Sequence, residues 1–103
     1  MIVSIRDRQG QFCAQVQGEG IGKGLAVHKS SLKGWNVAHL KTGCAVHTGF
    51  KTRDKARKFG RLIRKLTDWT QSSKVLRKCE GIIQEVNKAI GTVEGKEGKY
   101  KAS

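Results

Sequence analysis

The chain has 103 residues, with 21 Lys and Arg against eight Asp and Glu, giving a formal charge of +13 and a pI near 10.2. That length predicts one domain with a modest core, and the 37% hydrophobic fraction is enough to fold most of it. No apolar run approaches the roughly 18 residues needed to cross a membrane, and the opening MIVSIRDRQG mixes acids and bases too early for a signal peptide, so a cytosolic protein is expected.

Residues 2–6 and 11–17 read as two short strands joined by a turn with Asp7 first and Gly10 last. Phe12, Ala14 and Val16 alternate with polar residues, as in a half-buried strand. Gly18 to Gly24 carries four glycines. It lacks the Gly-Lys-Ser/Thr ending of a phosphate loop and reads as a flexible loop. Leu25–Ser30 is expected as a third strand, with a turn at Ser31–Gly34. Trp35–Leu40 and Cys44–Phe50 follow as strands, joined by a three-residue loop, Lys41-Thr42-Gly43. In that register Leu40 faces Cys44, Ala38 faces Val46 and Asn36 faces Thr48. Ala38, Leu40, Cys44, Val46 and Phe50 then form the bed for a helix, and Trp35, Val37, His39, Ala45, His47 and Gly49 the opposite face, joined by His28 if Leu25 and Val27 point to the core.

The stretch Gly49–Leu66 should be a helix capped by the Thr52 hydroxyl. Ala56, Phe59, Ile63 and Leu66 recur at spacings of three and four and make one apolar side. Lys51 to Leu66 holds eight Lys or Arg and one acid, Asp54, a formal +7. Like charges four apart, as in Arg53, Arg57 and Arg61, disfavour a helix by roughly 0.2–0.5 kcal/mol per pair. Bases in the first turn also oppose the helix macrodipole. A polyanionic partner relieves that repulsion, and nucleic acid is the commonest one. Trp69 is expected as a core anchor at the helix end. Ser72 or Ser73 should cap a second helix with Val75, Cys79, Ile82, Ile83, Val86 and Ile90 as its apolar stripe. From Gly91 periodicity fades. The expectation is therefore an α+β domain over residues 1–92, an antiparallel sheet of three to five strands followed by two C-terminal helices packed on one face, and a flexible tail over 93–103.

Cys13, Cys44 and Cys79 have no metal-ligand or redox spacing and are expected as free, buried thiols. No proline occurs, so turns rest on glycine, Asn, Asp and Ser. Three histidines could share a sheet face, but no carboxylate is placed to orient them. Neither a metal site nor another cofactor is expected. Asp7, Asp54 and Asp68 fall at turns or helix ends, which argues against paired-carboxylate catalysis and against an enzyme. Trp35 divides evenly between core anchor and stacking platform.

Three antiparallel strands followed by GFKTRDKARKF resemble the arm-type DNA-binding domain of phage tyrosine integrases, an AP2-like fold, over Leu25–Leu66. That resemblance implies a sheet face that enters a major groove, which here would be Trp35, Val37, His39, Ala45 and His47. Lys51 to Arg57 is also similar to the basic helix start of double-stranded-RNA-binding domains, which implies phosphate contacts by Lys51, Arg53, Lys55 and Arg57. The leading expectation is a small non-enzymatic nucleic-acid-binding protein of phage or mobile-element type. Its binding residues would be Lys51, Arg53, Lys55, Arg57, Lys58, Arg61, Arg64 and Lys65, with Trp35, His39 and His47, and its partner duplex DNA or RNA. The second is a phage-encoded, anti-CRISPR-like inhibitor. It would set the same basic surface against a host nuclease or another nucleic-acid-binding protein in the bacterial cytosol.

Overall fold

A computed structural model describes residues 1–7, 9–30, 33–70 and 80–95. Strands β1 (Ile2–Arg6), β2 (Phe12–Gly22), β3 (Leu25–Lys29), β4 (Trp35–His39) and β5 (Cys44–Phe50) form one antiparallel sheet in chain order. Helices α1 (Arg53–Ile63) and α2 (Glu80–Glu94) follow. This is the expected α+β arrangement of sheet, then two helices. The first turn is also as read: Asp7 Oδ1 accepts from the amides of Gln9 and Gln11, both at 2.9 Å.

The glycine-rich segment is not a loop. β2 continues through it to Gly22, pairing with β1 in its first half and with β3 in its second. The physical reason is close approach. A Cβ on Gly18 would lie 2.6 Å from Val3 Cγ2, so glycine lets β1 fold over β2 and β3. The connection to β3 is only Lys23-Gly24, both at positive φ (55° and 88°), as a two-residue hairpin turn requires.

The curled sheet buries both faces of β3. Leu25 and Val27 point to the helices, joining Ile21, Val37, Val46, Phe50, Ala56, Phe59, Ile63, Trp69, Val86, Ala89 and Ile90 in the main core. Ala26 and Ala38, directly paired, lie on the other face under Val3, with Ile5, Val16 and Leu40 around them. Small side chains there leave room for β1. Arg6 N donates to Gly43 O at 2.9 Å, so the free edge of β1 reaches the β4–β5 connection.

That connection corrects the expected register. His39 pairs with Cys44 and Ala38 with Ala45, so the loop is Leu40–Gly43, closed by Gly43 N donating to His39 O at 2.8 Å. A one-residue slip exchanges the faces of a strand. On β4, Trp35 and Val37 therefore face the helices, and Ala38 and Leu40 face away. On β5 an irregularity beside Val46, between the Ala45 and His47 pairings, keeps Val46 and Phe50 in the main core as expected.

In α1, Thr52 Oγ1 accepts from Lys55 N at 3.1 Å, the expected cap, and Ala56, Phe59 and Ile63 are buried. The helix stops at Ile63, and turns follow to Leu66. Trp69 is fully buried and donates from Nε1 to Ile63 O at 2.9 Å. α2 runs to Glu94, past Gly91, where the sequence pattern fades. Its expected cap at Ser72 or Ser73, Val75 and Cys79 lie outside the described residues, as do Arg8, Ser31, Leu32 and residues 96–103 of the expected tail. Cys13 is exposed rather than buried, at the start of β2 where Phe12, Ala14 and Gln15 are exposed too, while Cys44 is half-buried.

Two substitutions check this account. Phe59→Ala should destabilise by roughly 3–5 kcal/mol, since the ring is fully buried. Gly24→Ala should cost about 2–4 kcal/mol in a chemical denaturation curve, combining its positive φ with a Cβ 2.8 Å from the Trp69 backbone carbonyl. A loss below about 1 kcal/mol for either would place that residue outside the core contacts described.

Candidate nucleic-acid interface

α1 lies with its apolar side on the sheet and its cations on three other sides. Those nearest β2 are already engaged. Arg57 donates to Glu19 through two bonds of 2.6 Å, Nε to Oε2 and an Nη to Oε1, and a second Nη is 3.4 Å from Asp54. The Arg53 guanidinium carbon is 4.7 Å from the centre of the Trp35 ring. Arg64 donates to Ile21 O at 3.0 Å. The structure therefore relieves part of the helix's repulsion internally. Glu19 is 38 residues from Arg57 in sequence, and they meet only because β2 extends across the glycine tract.

The outer side is different. Lys58, Arg61 and Lys65 are spaced three and four apart and exposed, as are Lys51 and Lys55 nearer the helix start. None of these five makes an ion pair with a carboxylate among the described residues. Arg61 and Lys65 sit near the helix C-terminal end, where the macrodipole favours cations. Lys51 and Lys55 line an open cleft of about 530 Å³ with His47, Thr48, Gly49 and Glu94.

The three histidines occupy three separate sites. His28 is buried, its Nδ1 3.0 Å from Lys29 O. His39 is buried, bonded through Nδ1 to Thr42 Oγ1 at 3.0 Å and through Nε2 to the Trp69 carbonyl. His47 sets its ring against Phe50 and Phe59, and its Nε2 lies 3.2 Å from Glu94 Oε2. Among the described residues no three His, Cys, Asp or Glu side chains are grouped to hold a metal ion. Of the sheet residues that the sequence placed on an outer face, Val37 and His39 are buried, Trp35 and His47 are half-buried and Ala45 is exposed. Of the residues singled out in the sequence, the exposed cations thus lie on α1 and just before it, with half-buried Trp35 beside Arg53. Glu19 and Glu94 belong to the site's electrostatics and were not singled out by sequence. The fading periodicity after Gly91 hid the helical position of Glu94.

Arg57, by its hydrogen bonds, holds the Glu19 carboxyl below its ordinary 4.5, with its charge and those of Arg53 and Arg61 adding to the effect. A carboxylate whose pKa is depressed in the folded state stabilises fully above the unfolded value, and that stabilisation is lost as pH falls through the folded value. The melting temperatures of the wild type and Glu19→Gln should therefore differ at neutral pH and converge as pH drops below 4.5. A gap that persists unchanged well below that pH would mean that the pair does not form.

No helix among the described residues is long and apolar enough to cross a membrane. No family model matches the chain, and neither a curated protein nor a solved structure does.

Proposed function

We propose that this protein binds nucleic acid through α1, with the phosphate backbone as the main ligand. The observation that carries the reading is the outer stripe of Lys58, Arg61 and Lys65 with Lys51 and Lys55, five exposed cations with no carboxylate partner among the described residues. A solvated helix face ordinarily mixes signs. Here Glu19 and Asp54 are held by Arg57, and the outward charge is left for an external polyanion. The helix has no need of that anion to fold, because Phe59, Ile63 and Ala56 anchor it. The same cations would also suit an acidic protein surface, such as that of a host nucleic-acid-binding enzyme, and this is the reading that remains if no nucleic acid binds.

The side chains divide into two groups with different expected effects. Replacing Lys58, Arg61 or Lys65 by Ala should weaken binding similarly on unrelated sequences. Replacing Arg64, which is bonded to the Ile21 carbonyl, should affect stability more than affinity. If about four phosphates are neutralised, log affinity should fall against log salt with a slope near −3 to −4 on duplex DNA, and each outer Ala change should flatten it by about one unit. Glu19→Gln, which removes the acid facing Arg57, should tighten binding. The measurement is a salt titration of labelled duplex DNA, duplex RNA and single strands against the wild type and these variants. Failure of all three to bind at ~50 mM salt, where phosphate contacts are strong, would overturn the reading.

A further inference from the structure

Beside α1, on the β2–β3 side, is a second groove of about 340 Å³ lined by Gln17, Glu19, Val27, Lys29, Trp35 and Arg53. We infer that this groove takes one unpaired nucleobase on the Trp35 ring, so that the protein favours single-stranded over duplex nucleic acid. This rests on the nucleic-acid reading above and narrows it.

Trp35 is packed on the main core but only half-buried, whereas the other tryptophan, Trp69, is fully buried. A large half-exposed indole held in place by a core is a fixed stacking platform. Its present cover is the Arg53 guanidinium, which is exposed and has no carboxylate partner among the described residues. An arriving base can replace Arg53 on the ring. Arg53 is then free for the phosphate of the same nucleotide, so both contacts are replaced by stronger ones. Glu19, the one acid in the lining among the described residues, does not repel the strand strongly because Arg57 already holds it. Gln17 and Lys29 supply donors for base edges or phosphate. The groove has room for a base and its sugar, at the small end of ligand clefts. A base inside a duplex exposes only its edges, so its face reaches an indole only when it is unpaired.

The two tryptophans make the test internal. Fluorescence anisotropy of labelled oligothymidylate, its duplex with oligoadenylate, and thymidine monophosphate in competition would report binding. Tryptophan emission would report stacking. The expected result is that the single strand quenches emission in the wild type and not in Trp35→Phe, where only buried Trp69 remains. Trp35→Ala should lose about tenfold in affinity for the strand, with duplex affinity changed less than about twofold. The emission maximum of Trp69 shows whether that variant is folded. Strand binding by anisotropy without Trp35 quenching would overturn the inference while leaving the phosphate reading intact. So would an equal loss for strand and duplex, or a mononucleotide that competes as well as the strand. Absence of binding to every probe would overturn both.

Discussion

Trp69 is the residue through which the parts of this molecule hold one another. Its ring fills the core, its Nε1 closes the end of α1 on the Ile63 carbonyl, and its own carbonyl accepts from His39 at the end of β4. Its backbone also abuts Gly24 so closely that no side chain fits there. Helix end, sheet end and hairpin turn are therefore placed by one side chain and its peptide. The donors and acceptors involved are buried, and a buried polar group left unpaired costs more than the bond itself contributes. The end of α1 is thereby held against the end of β4 and the turn between β2 and β3.

The charge on α1 divides between groups engaged by the sheet and groups left exposed. Arg53, Arg57 and Arg64 lie toward β2 and find an indole, a carboxylate and a carbonyl. Lys58, Arg61 and Lys65 are exposed and make no ion pair with a carboxylate among the described residues. A helix with seven net positive charges over its segment would be a poor helix in isolation. Tertiary burial of Phe59 and Ile63 outweighs repulsions worth a few tenths of a kcal/mol each. Folding thus holds the outer cations closer together than they would be in an open chain, and this concentrates their field.

Elements with a strong period were legible in the sequence. Thr52 as a cap, Phe59 and Ile63 as the buried side, and β5 at Cys44–Phe50 all follow from local pattern. The faces of β4 were not, because they depend on whether the turn has three residues or four. Gly43 fits either, and only the Gly43 to His39 hydrogen bond selects. Nor does a glycine tract announce itself as a strand. Gly18 leaves room for Val3 to lie over it, a contact invisible until β1 is in place. The cations on and beside α1 were legible, since composition alone exposes them. Their division into engaged and outward sets was not, because Glu19 comes from a distant strand and the Ile21 carbonyl from the backbone.

The chain-order sheet also has a kinetic consequence. Each strand pairs with its neighbour in sequence, so the hairpins close short loops and need no crossover. Two of the long closures do not involve the α1 cations. One joins β1 to the β4–β5 connection, where Cys44 Sγ meets the Asp7 carbonyl 37 residues away, and the other joins Trp69 to His39 across 30 residues. Loop-closure entropy grows only with the logarithm of length, so neither is prohibitive once the hairpins exist. The order of events this favours is a meander first, then its curling, and last the docking of α1. That last step brings Ala56, Phe59 and Ile63 into the main core, so it completes the core rather than adding a detachable part.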